Sequence, residues 1–263
     1  MEYETALALS ETTDNSAALT EWNGYEADVT VKRTLYKDGY WNTLCLPFDV
    51  TDGDTNDGLT FSGTPLEGAT VMELNSSTSN LDGKGQLTLN FTNAASIEAG
   101  KPYIVRWGTR DSNPGGTILN PVFTGVNIIN SGPAPVKFSF VGNSADCQFV
   151  GNYAPLEITE ATNRNNIVVL TSGSRLGYTT SDRTIAKGNA LGAFRAYFYI
   201  PEKDGTTGAS SFVLNFDDES TQTGIGHTEI TEKADAIYDL QGRRVENPKK
   251  GLYIVNGKKV VIK

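Results

Sequence analysis

Hydrophobic and polar residues alternate in short runs along most of this chain, and turn-forming residues separate the runs. In residues 29–35 the apolar side chains fall on odd positions, and in residues 42–48 they fall on even positions. A period of two is typical of β-strands. Further runs of this kind occupy residues 70–74, 86–91, 102–107, 122–129, 136–141, 148–153, 167–170, 194–200 and 210–216. The pattern predicts roughly a dozen short strands and no helix longer than two turns.

The run around residue 45 is apolar on both faces. Leu44, Leu46 and Phe48 lie on one face of the predicted strand, and Trp41 and Cys45 lie on the other. We therefore expect both faces of this strand to be buried.

Turns and polar segments divide the chain into a body and a tail. Residues 25–216 are predicted to form an all-β, mainly antiparallel β-sandwich. A Ser-Gly-Pro-Ala-Pro stretch at residues 131–135 is the point at which this body would split into two sandwiches. Residues 1–24 are predicted to be a polar lead-in, and residues 217–235 a polar linker.

Residues 236–263 form the predicted tail, a short β-hairpin appendage. Two apolar runs, 252–255 and 258–262, flank Asn256-Gly257, a pair that suits a type I′ turn. The tail carries a charge of +5 and the rest of the chain −14, within a net charge of −9. Either its lysines protect edge strands from aggregation, or a basic tail docks on an acidic body or is read by export machinery.

Several short sequence motifs are distinctive enough to compare with known families. They are WNTLCLPF at residues 41–48, GKPYIV at 100–105, FRAYF at 194–198, TGI at 223–225 and YDLQGRRV at 238–245. These motifs resemble those of exported surface proteins of the Bacteroidetes. The tail resembles the last strands of a type IX secretion sorting domain. The resemblance implies export to the cell surface or the extracellular space, and it implies no shared catalytic motif.

The acidic composition excludes some partners. Nucleic acids and anionic lipids both require a basic face, which a net charge of −9 does not favour. No apolar run reaches the ~18 residues of a membrane span. Residues 6–9 are too short for the core of a signal peptide. We therefore expect no signal peptide in this chain, and the implied export suggests that Met1 begins a trimmed form.

Histidine and cysteine are too few for several kinds of site. The one histidine, His227, lies in the predicted linker. A Ser-His-Asp or Cys-His site in the body is therefore excluded, and so is a histidine-rich zinc site. Cys45 and Cys147 are predicted either to form a disulfide or to be two buried thiols. We expect no catalytic residues and no cofactor apart from a candidate calcium ion.

An acidic loop provides that candidate calcium site. Asp52, Asp54 and Asn56 have the alternate spacing that directs oxygen atoms towards one calcium ion, and Asp57 follows them. The glycine and glutamate of a complete calcium loop are missing at the sixth and twelfth positions. The alternative is an acidic loop between two strands.

Aromatic and arginine side chains provide candidate ligand contacts. Trp22, Trp41 and Trp107 could form a sugar-binding platform or pack in the core. Trp107 comes just before a turn that contains Arg110, so these two are the candidate ligand-binding residues. Arg195 lies in an apolar strand, where a structural ion pair or stacking on a tyrosine is the favoured role.

These features favour a non-catalytic exported or cell-surface protein with an adhesion or binding role. Its expected partner is a protein or a glycan at the cell surface, and no particular oligomeric state is predicted. The alternative is a carbohydrate-binding module or accessory protein of polysaccharide utilisation. A third possibility is a glycoside hydrolase or lyase, which would need two carboxylates ~5–10 Å apart in a cleft.

Overall fold

The computed structural model describes residues 5–53, 58–203 and 206–216, and the backbone of residues 237–238, 251–255 and 258–262. The chain divides into two compact units, Met1–Ile225 and Gly226–Lys263. The division falls within residues 217–235, which the sequence indicates as a linker.

The described part of the first unit consists of short strands and one six-residue helix. In chain order the elements are β1 (Ala6–Ser10), α1 (Ser16–Glu21), β2 (Glu26–Lys32), β3 (Thr34–Tyr36), β4 (Asn42–Leu44), β5 (Val50–Thr51), β6 (Thr70–Leu74), β7 (Asn80–Leu81), β8 (Gln86–Asn93), β9 (Ser96–Ile97), β10 (Tyr103–Arg106), β11 (Thr117–Leu119), β12 (Val122–Asn127), β13 (Val136–Phe140), β14 (Cys147–Gly151), β15 (Ile167–Thr171), β16 (Arg175–Tyr178), β17 (Ala196–Tyr199), β18 (Glu202–Lys203), β19 (Thr206–Thr207) and β20 (Ser211–Phe216). The all-β prediction is confirmed.

Most of these strands belong to one long sheet. Its order is β16–β15–β17–β14–β13–β7–β8–β6–β10–β4, and β20 pairs with β8 beside this path. Neighbouring strands are antiparallel except at β13–β7 and β20–β8, which are parallel. A second sheet has the order β1–β2–β12. The mainly antiparallel, sandwich-like architecture agrees with the sequence pattern.

Two hydrophobic cores lie on opposite faces of the strand β10. Tyr103 and Val105 belong to the first core, which also contains Leu9 of β1 and Val29 of β2. Ile104 belongs to the second core, which extends over β8, β14, β17 and their neighbours. The alternation along β10 follows from the period of two in a strand, so this strand is buried on both faces.

The strand β20 completes the second core. Its residues 212, 214 and 216 pair with residues 87, 89 and 91 of β8, so both apolar sets share one face. Phe216 stacks on Trp41 with ring centroids 5.0 Å apart. Phe212, Leu214 and Phe216 are partly buried against this core, so β20 is an integral part of the unit.

The second unit contains the predicted hairpin. Strand β22 (Gly251–Val255) pairs antiparallel with β23 (Lys258–Ile262), and Val255 faces Lys258 across the turn. Strand β21 (Ile237–Tyr238) pairs with β22 on its other edge. Asn256 and Gly257, the expected turn residues, lie outside the described residues.

The polar lead-in predicted for residues 1–24 is wrong for its described part. Residues 6–10 form β1, and Leu7 and Leu9 enter the first core. Leu19 of α1 is also fully buried. The apolar signal was missed because alanines alternate with the two leucines and the flanking residues are polar.

Two predicted strands are shorter than their apolar runs. The run 29–35 breaks at Arg33, whose N–H donates to the Val31 carbonyl in a tight turn. The run 42–48 is a strand only as far as Leu44. Cys45 then turns into the same core as Leu44, opposite to the expected face, because its N–H bonds to the Phe194 carbonyl. Trp41 lies in the second core, so both sides are buried as expected.

Residues 131–135 do not divide the first unit. The Ala134 N–H donates to the Gly100 carbonyl at 2.8 Å, and the Gly100 N–H donates to Leu46. This stretch is therefore bonded to the body on both sides of the predicted break. No helix within the described residues is long and apolar enough to span a membrane.

Candidate functional site

A cleft of about 520 Å³ lies between the end of β1, strand β15 and the loop before β17. This volume falls in the ~300–1,000 Å³ range of small-ligand sites. The lining residues are Glu11, Thr12, Pro155, Val169, Leu170, Thr171, Ser172, Arg183, Ile185, Gly188, Ala190, Leu191, Gly192 and Arg195. A smaller hollow of about 240 Å³ borders β5 and β12, and Asp49 is the one charged residue of its lining.

An ion pair joins two sides of the larger cleft. Arg195 Nη2 donates to Glu11 Oε2 at 2.6 Å, and the two side chains are 29% and 26% exposed. This agrees with the structural ion pair expected for Arg195. A partly buried charge pair with a direct hydrogen bond holds its geometry better than a solvent-exposed pair.

Asn152 fixes the backbone that carries Arg195. Its Oδ1 atom accepts from the Arg195 N–H at 3.2 Å, and its Nδ2 atom donates to the carbonyls of Gly192 and Ala154. The Ala193 N–H donates to the Glu11 carbonyl at 2.9 Å. Both members of the ion pair are thus tied together through the backbone as well as through their side chains.

Phe194, which lies between Ala193 and Arg195, connects two of the sequence motifs. It adopts a positive φ of 60° although it is not glycine, a conformation that persists only where surrounding contacts enforce it. Its N–H donates to the Asn152 carbonyl, and its carbonyl accepts from the Cys45 N–H and from Arg33 Nη1. The motifs at residues 41–48 and 194–198 therefore meet behind the cleft.

Arg33 is almost fully buried at this junction, with 2% exposure. Its Nη1 atom also donates to the Thr43 carbonyl at 3.1 Å, while its Nε and Nη2 atoms have no partner among the described residues. Burial, together with the nearby charge of Arg195, holds the pKa of Arg33 well below its usual value. Arg33 therefore supports the backbone behind the cleft and does not line it.

The walls of the cleft are also well anchored. Residues 169–171 belong to β15, which pairs with β16 on one edge and β17 on the other. The opposite wall begins at Arg183, bridged to Ile158, and ends at Leu191, bridged to Leu156. Within this loop the Ile185 N–H donates to Glu157 Oε1 at 2.8 Å. The cleft is therefore largely preformed.

Arg183 differs from Arg195 because its guanidinium has no hydrogen bond or ion pair with any described residue. The neighbouring carboxylate of Asp182 is already engaged, since its Oδ1 accepts from Arg164 Nη1 at 2.8 Å. Arg164 also pairs with Glu160 at 2.6 Å. The cleft thus presents one guanidinium that is neutralised and one that is not.

The platform predicted at Trp107 is wrong. Trp107 is only 2% exposed, and its Nε1 atom donates to the Glu67 carbonyl at 2.9 Å. The Lys37 ammonium lies 5.8 Å from the ring centroid. Arg110 is exposed in the following turn, whereas the Trp107 ring is buried. Trp107 packs in the first core, and the Glu67 carbonyl at its border satisfies the indole N–H.

The remaining tryptophans do not form a platform either. Trp22 is half-buried against the first core. Trp41 is 6% exposed in the second core, with the Arg106 guanidinium 4.3 Å from its ring centroid.

The described part of the predicted calcium site has a structural role. The Asp52 carboxylate accepts from the Phe61 N–H at 3.2 Å and from the Ser62 N–H at 3.0 Å, so it closes a loop. Asp54, Asn56 and Asp57 lie outside the described residues. The described residues contain no group of three or more acidic, histidine or cysteine side chains placed to hold a metal. Calcium binding stays a prediction.

The two cysteines are free and buried, and they lie in different cores. This agrees with the interpretation as two buried thiols. Burial raises the pKa of Cys45 and of Cys147 to about 12. Neither thiol lines the cleft.

Sequence reasoning did not identify Glu11, Asn152 or Arg183 as site residues. Glu11 and Arg183 belong to short polar segments and Asn152 ends an apolar run, none of them in a local motif, and the fold alone brings them to one place. No family model matches the chain, and searches of curated proteins and of solved structures find no match.

Proposed function

We propose that this protein is a non-catalytic binding protein that works outside the cell or on its surface. We propose further that the cleft between β1, β15 and residues 183–192 holds its ligand. The motif resemblance supports the extracellular location, and the cleft supports the binding role.

The observation that carries this proposal is the engagement of Glu11 by Arg195. Glu11 is the one carboxylate on the cleft lining, and it already accepts a 2.6 Å hydrogen bond from Arg195. Glycoside hydrolysis by the usual route needs two carboxylates, one of which donates or accepts a proton. A fixed ion pair beside an apolar wall and a few hydroxyls is suited to recognition instead.

The carbohydrate-binding alternative lacks its expected surface. The cleft lining includes no aromatic residue, and Trp41 and Trp107 are buried in the cores. A sugar ring would therefore find no aromatic face to stack on at this site.

The test is binding of the purified full chain to an array of peptides, matrix proteins and glycans, alongside turnover assays on polysaccharides and chromogenic glycosides. The variant Ser172→Trp places a ring in the cleft from an exposed lining position. Ser144→Trp is the matched control, because Ser144 is exposed and does not line the cleft. We expect binding that Ser172→Trp abolishes and Ser144→Trp preserves, without turnover. Turnover by the unaltered chain would contradict the proposal.

A further inference from the structure

We infer that the cleft binds the C-terminal end of a peptide or protein partner. In this arrangement Arg183 binds the terminal carboxylate, and the aliphatic wall receives the last side chain. The inference rests on the proposed function, since it identifies the ligand of the same cleft.

Charge is the first argument. The lining carries two guanidinium groups and one carboxylate, a net charge of +1 on a protein whose net charge is −9. Glu11 neutralises Arg195, and Arg183 has no partner among the described residues. An isolated guanidinium in a concave site favours one anionic group, and its planar fork matches a carboxylate in a bidentate geometry.

The same charges disfavour a dianion. A phosphate or sulfate ester would be served best by several free guanidinium or ammonium groups. Here the second guanidinium is already paired, and the Glu11 carboxylate on the same lining would repel additional negative charge. A single carboxylate fits this balance.

The apolar wall is the second argument. Val169, Ile185 and Leu191 supply the aliphatic side chains of the lining, whereas Leu170, on the opposite face of β15, packs its side chain against the second core. Ile185 is 56% exposed, so it offers apolar surface inside the cleft that a ligand can cover. An aliphatic side chain next to a carboxylate is the chemistry of a peptide C-terminus.

Hydroxyl groups supply the third requirement. Thr12, Thr171 and Ser172 are exposed lining residues. The Thr171 hydroxyl already donates to the Arg175 carbonyl and the Thr12 hydroxyl is bonded to that of Ser10, so both can still accept a hydrogen bond, and the Ser172 hydroxyl can donate to or accept from a peptide backbone. Capture of a C-terminal carboxylate is a recurring mode of peptide recognition, and a few hydroxyl groups in an apolar pocket fix the orientation of a ligand.

The test is fluorescence-polarisation binding of the full chain to N-acetylated hexapeptides that end in Leu, Val or Ile. Each peptide is made with a free C-terminal carboxylate and with a C-terminal amide. We expect amidation to weaken binding roughly 10- to 100-fold, the factor of a charge-assisted hydrogen bond. Arg183→Gln should weaken binding of the free-carboxylate peptides by a similar factor and leave binding of the amides unchanged.

Arg175→Gln is the matched control. Arg175 is an exposed arginine of β16 that does not line the cleft, so its loss should change nothing. Because the Arg183 side chain makes no bond with the described residues, the Arg183→Gln variant should keep the thermal midpoint of the unaltered chain.

Any of three results would overturn the inference. The first is equal affinity for the carboxylate and amide forms of the peptides, and the second is an equal loss of affinity in Arg183→Gln and Arg175→Gln. The third is that no peptide binds. Binding of tetragalacturonate without binding of peptides would assign the cleft to an acidic glycan and also overturn it. The proposed function fails separately, if Ser172→Trp leaves the binding of every ligand on the array unchanged.

Discussion

Arg195 Nη2 lies 2.6 Å from Glu11 Oε2, and this ion pair joins the end of β1 to the start of β17 across 184 residues of sequence. The side chains are only 29% and 26% exposed, so water competes less for them than for a surface pair. The pair lies on one side of the cleft, and in it Glu11 neutralises the charge of Arg195, one of the two arginines of the lining.

This geometry predicts a measurable coupling between the two residues. Glu11→Gln keeps the side-chain volume and removes the charge, so it should lower the free energy of unfolding by about 1–2 kcal/mol. A double-mutant cycle with Arg195→Gln, followed by urea denaturation, should give a coupling energy of about 0.5–2 kcal/mol.

The matched control is the pair Lys101–Glu98. It is longer, at 3.3 Å, and Glu98 is 68% exposed. Its coupling energy should stay below about 0.5 kcal/mol. Equal couplings in the two cycles would show that the Glu11–Arg195 pair is an ordinary surface contact.

The close packing of Gly151 predicts that a larger residue there would destabilise the fold and displace Asn152, which holds the backbone of Arg195. A Cβ atom at Gly151 would lie 2.2 Å from Cys45 Sγ. Gly151→Ala should therefore lower the free energy of unfolding by about 1–3 kcal/mol, the usual cost of overpacking. Because Asn152 follows directly and holds Arg195, we also expect weaker ligand binding.

Gly83→Ala is the control for this substitution, since a Cβ at Gly83 meets nothing within 4 Å. Its free energy of unfolding should stay within about 0.5 kcal/mol of the unaltered chain, the range of neutral surface substitutions. If Gly151→Ala and Gly83→Ala unfold at the same urea concentration, the predicted clash between a side chain at Gly151 and Cys45 is wrong.

The buried thiols predict a loss of stability at alkaline pH. Burial raises the pKa of Cys45 and Cys147 from the ordinary value of 9.0 to about 12. Between these values the unfolded chain loses thiol protons that the folded chain keeps, so this effect is absent below pH 9 and destabilises the fold as the pH rises. The slope approaches about 1.4 kcal/mol per pH unit for each thiol.

Urea denaturation from pH 7 to 10.5 measures this effect. The double variant Cys45→Ala/Cys147→Ala should lose less stability over this range than the unaltered chain. Equal losses would mean that other groups cause the alkaline destabilisation.

The proposed export role of the tail predicts that its removal blocks export without unfolding the body. Residues 236–263 belong to the second compact unit, Gly226–Lys263. Deleting them should leave the thermal midpoint of the body unchanged and should keep the protein inside the cell, which fractionation of the producing cells can measure. Unfolding of the truncated body would assign the tail a structural role, and export of a folded truncated body would contradict the proposal that the tail is an export signal.

Much of the fold could be predicted from the sequence, because a period of two is a strong signal wherever apolar residues alternate over five or more positions. Residues 70–74 match β6 in full. Strand β1 was missed because its alanines weaken the alternation. The break at Arg33 was missed because a buried guanidinium bonded to distant carbonyls leaves no local pattern.

The site was harder to predict than the fold. The prediction that Trp107 is exposed relied on the turn that follows it. In the structure the ring is buried, and its N–H donates to the carbonyl of Glu67, 40 residues away in sequence. Glu11 reaches the cleft through its bonds to Ala193 and Arg195, and Arg183 reaches it through the bridge to Ile158. Such contacts depend on topology, and short sequence windows do not contain them.

The most direct test of the account is to locate the bound ligand. Methyl-labelled full chain is titrated with the tightest ligand of the array, and the methyl NMR shifts are measured. We predict shifts at Ile185 and Leu191, which line the cleft, and none at Leu119 and Val122, which are exposed and do not line it. Shifts at Leu119 and Val122 with unchanged signals from Ile185 and Leu191 would contradict the account.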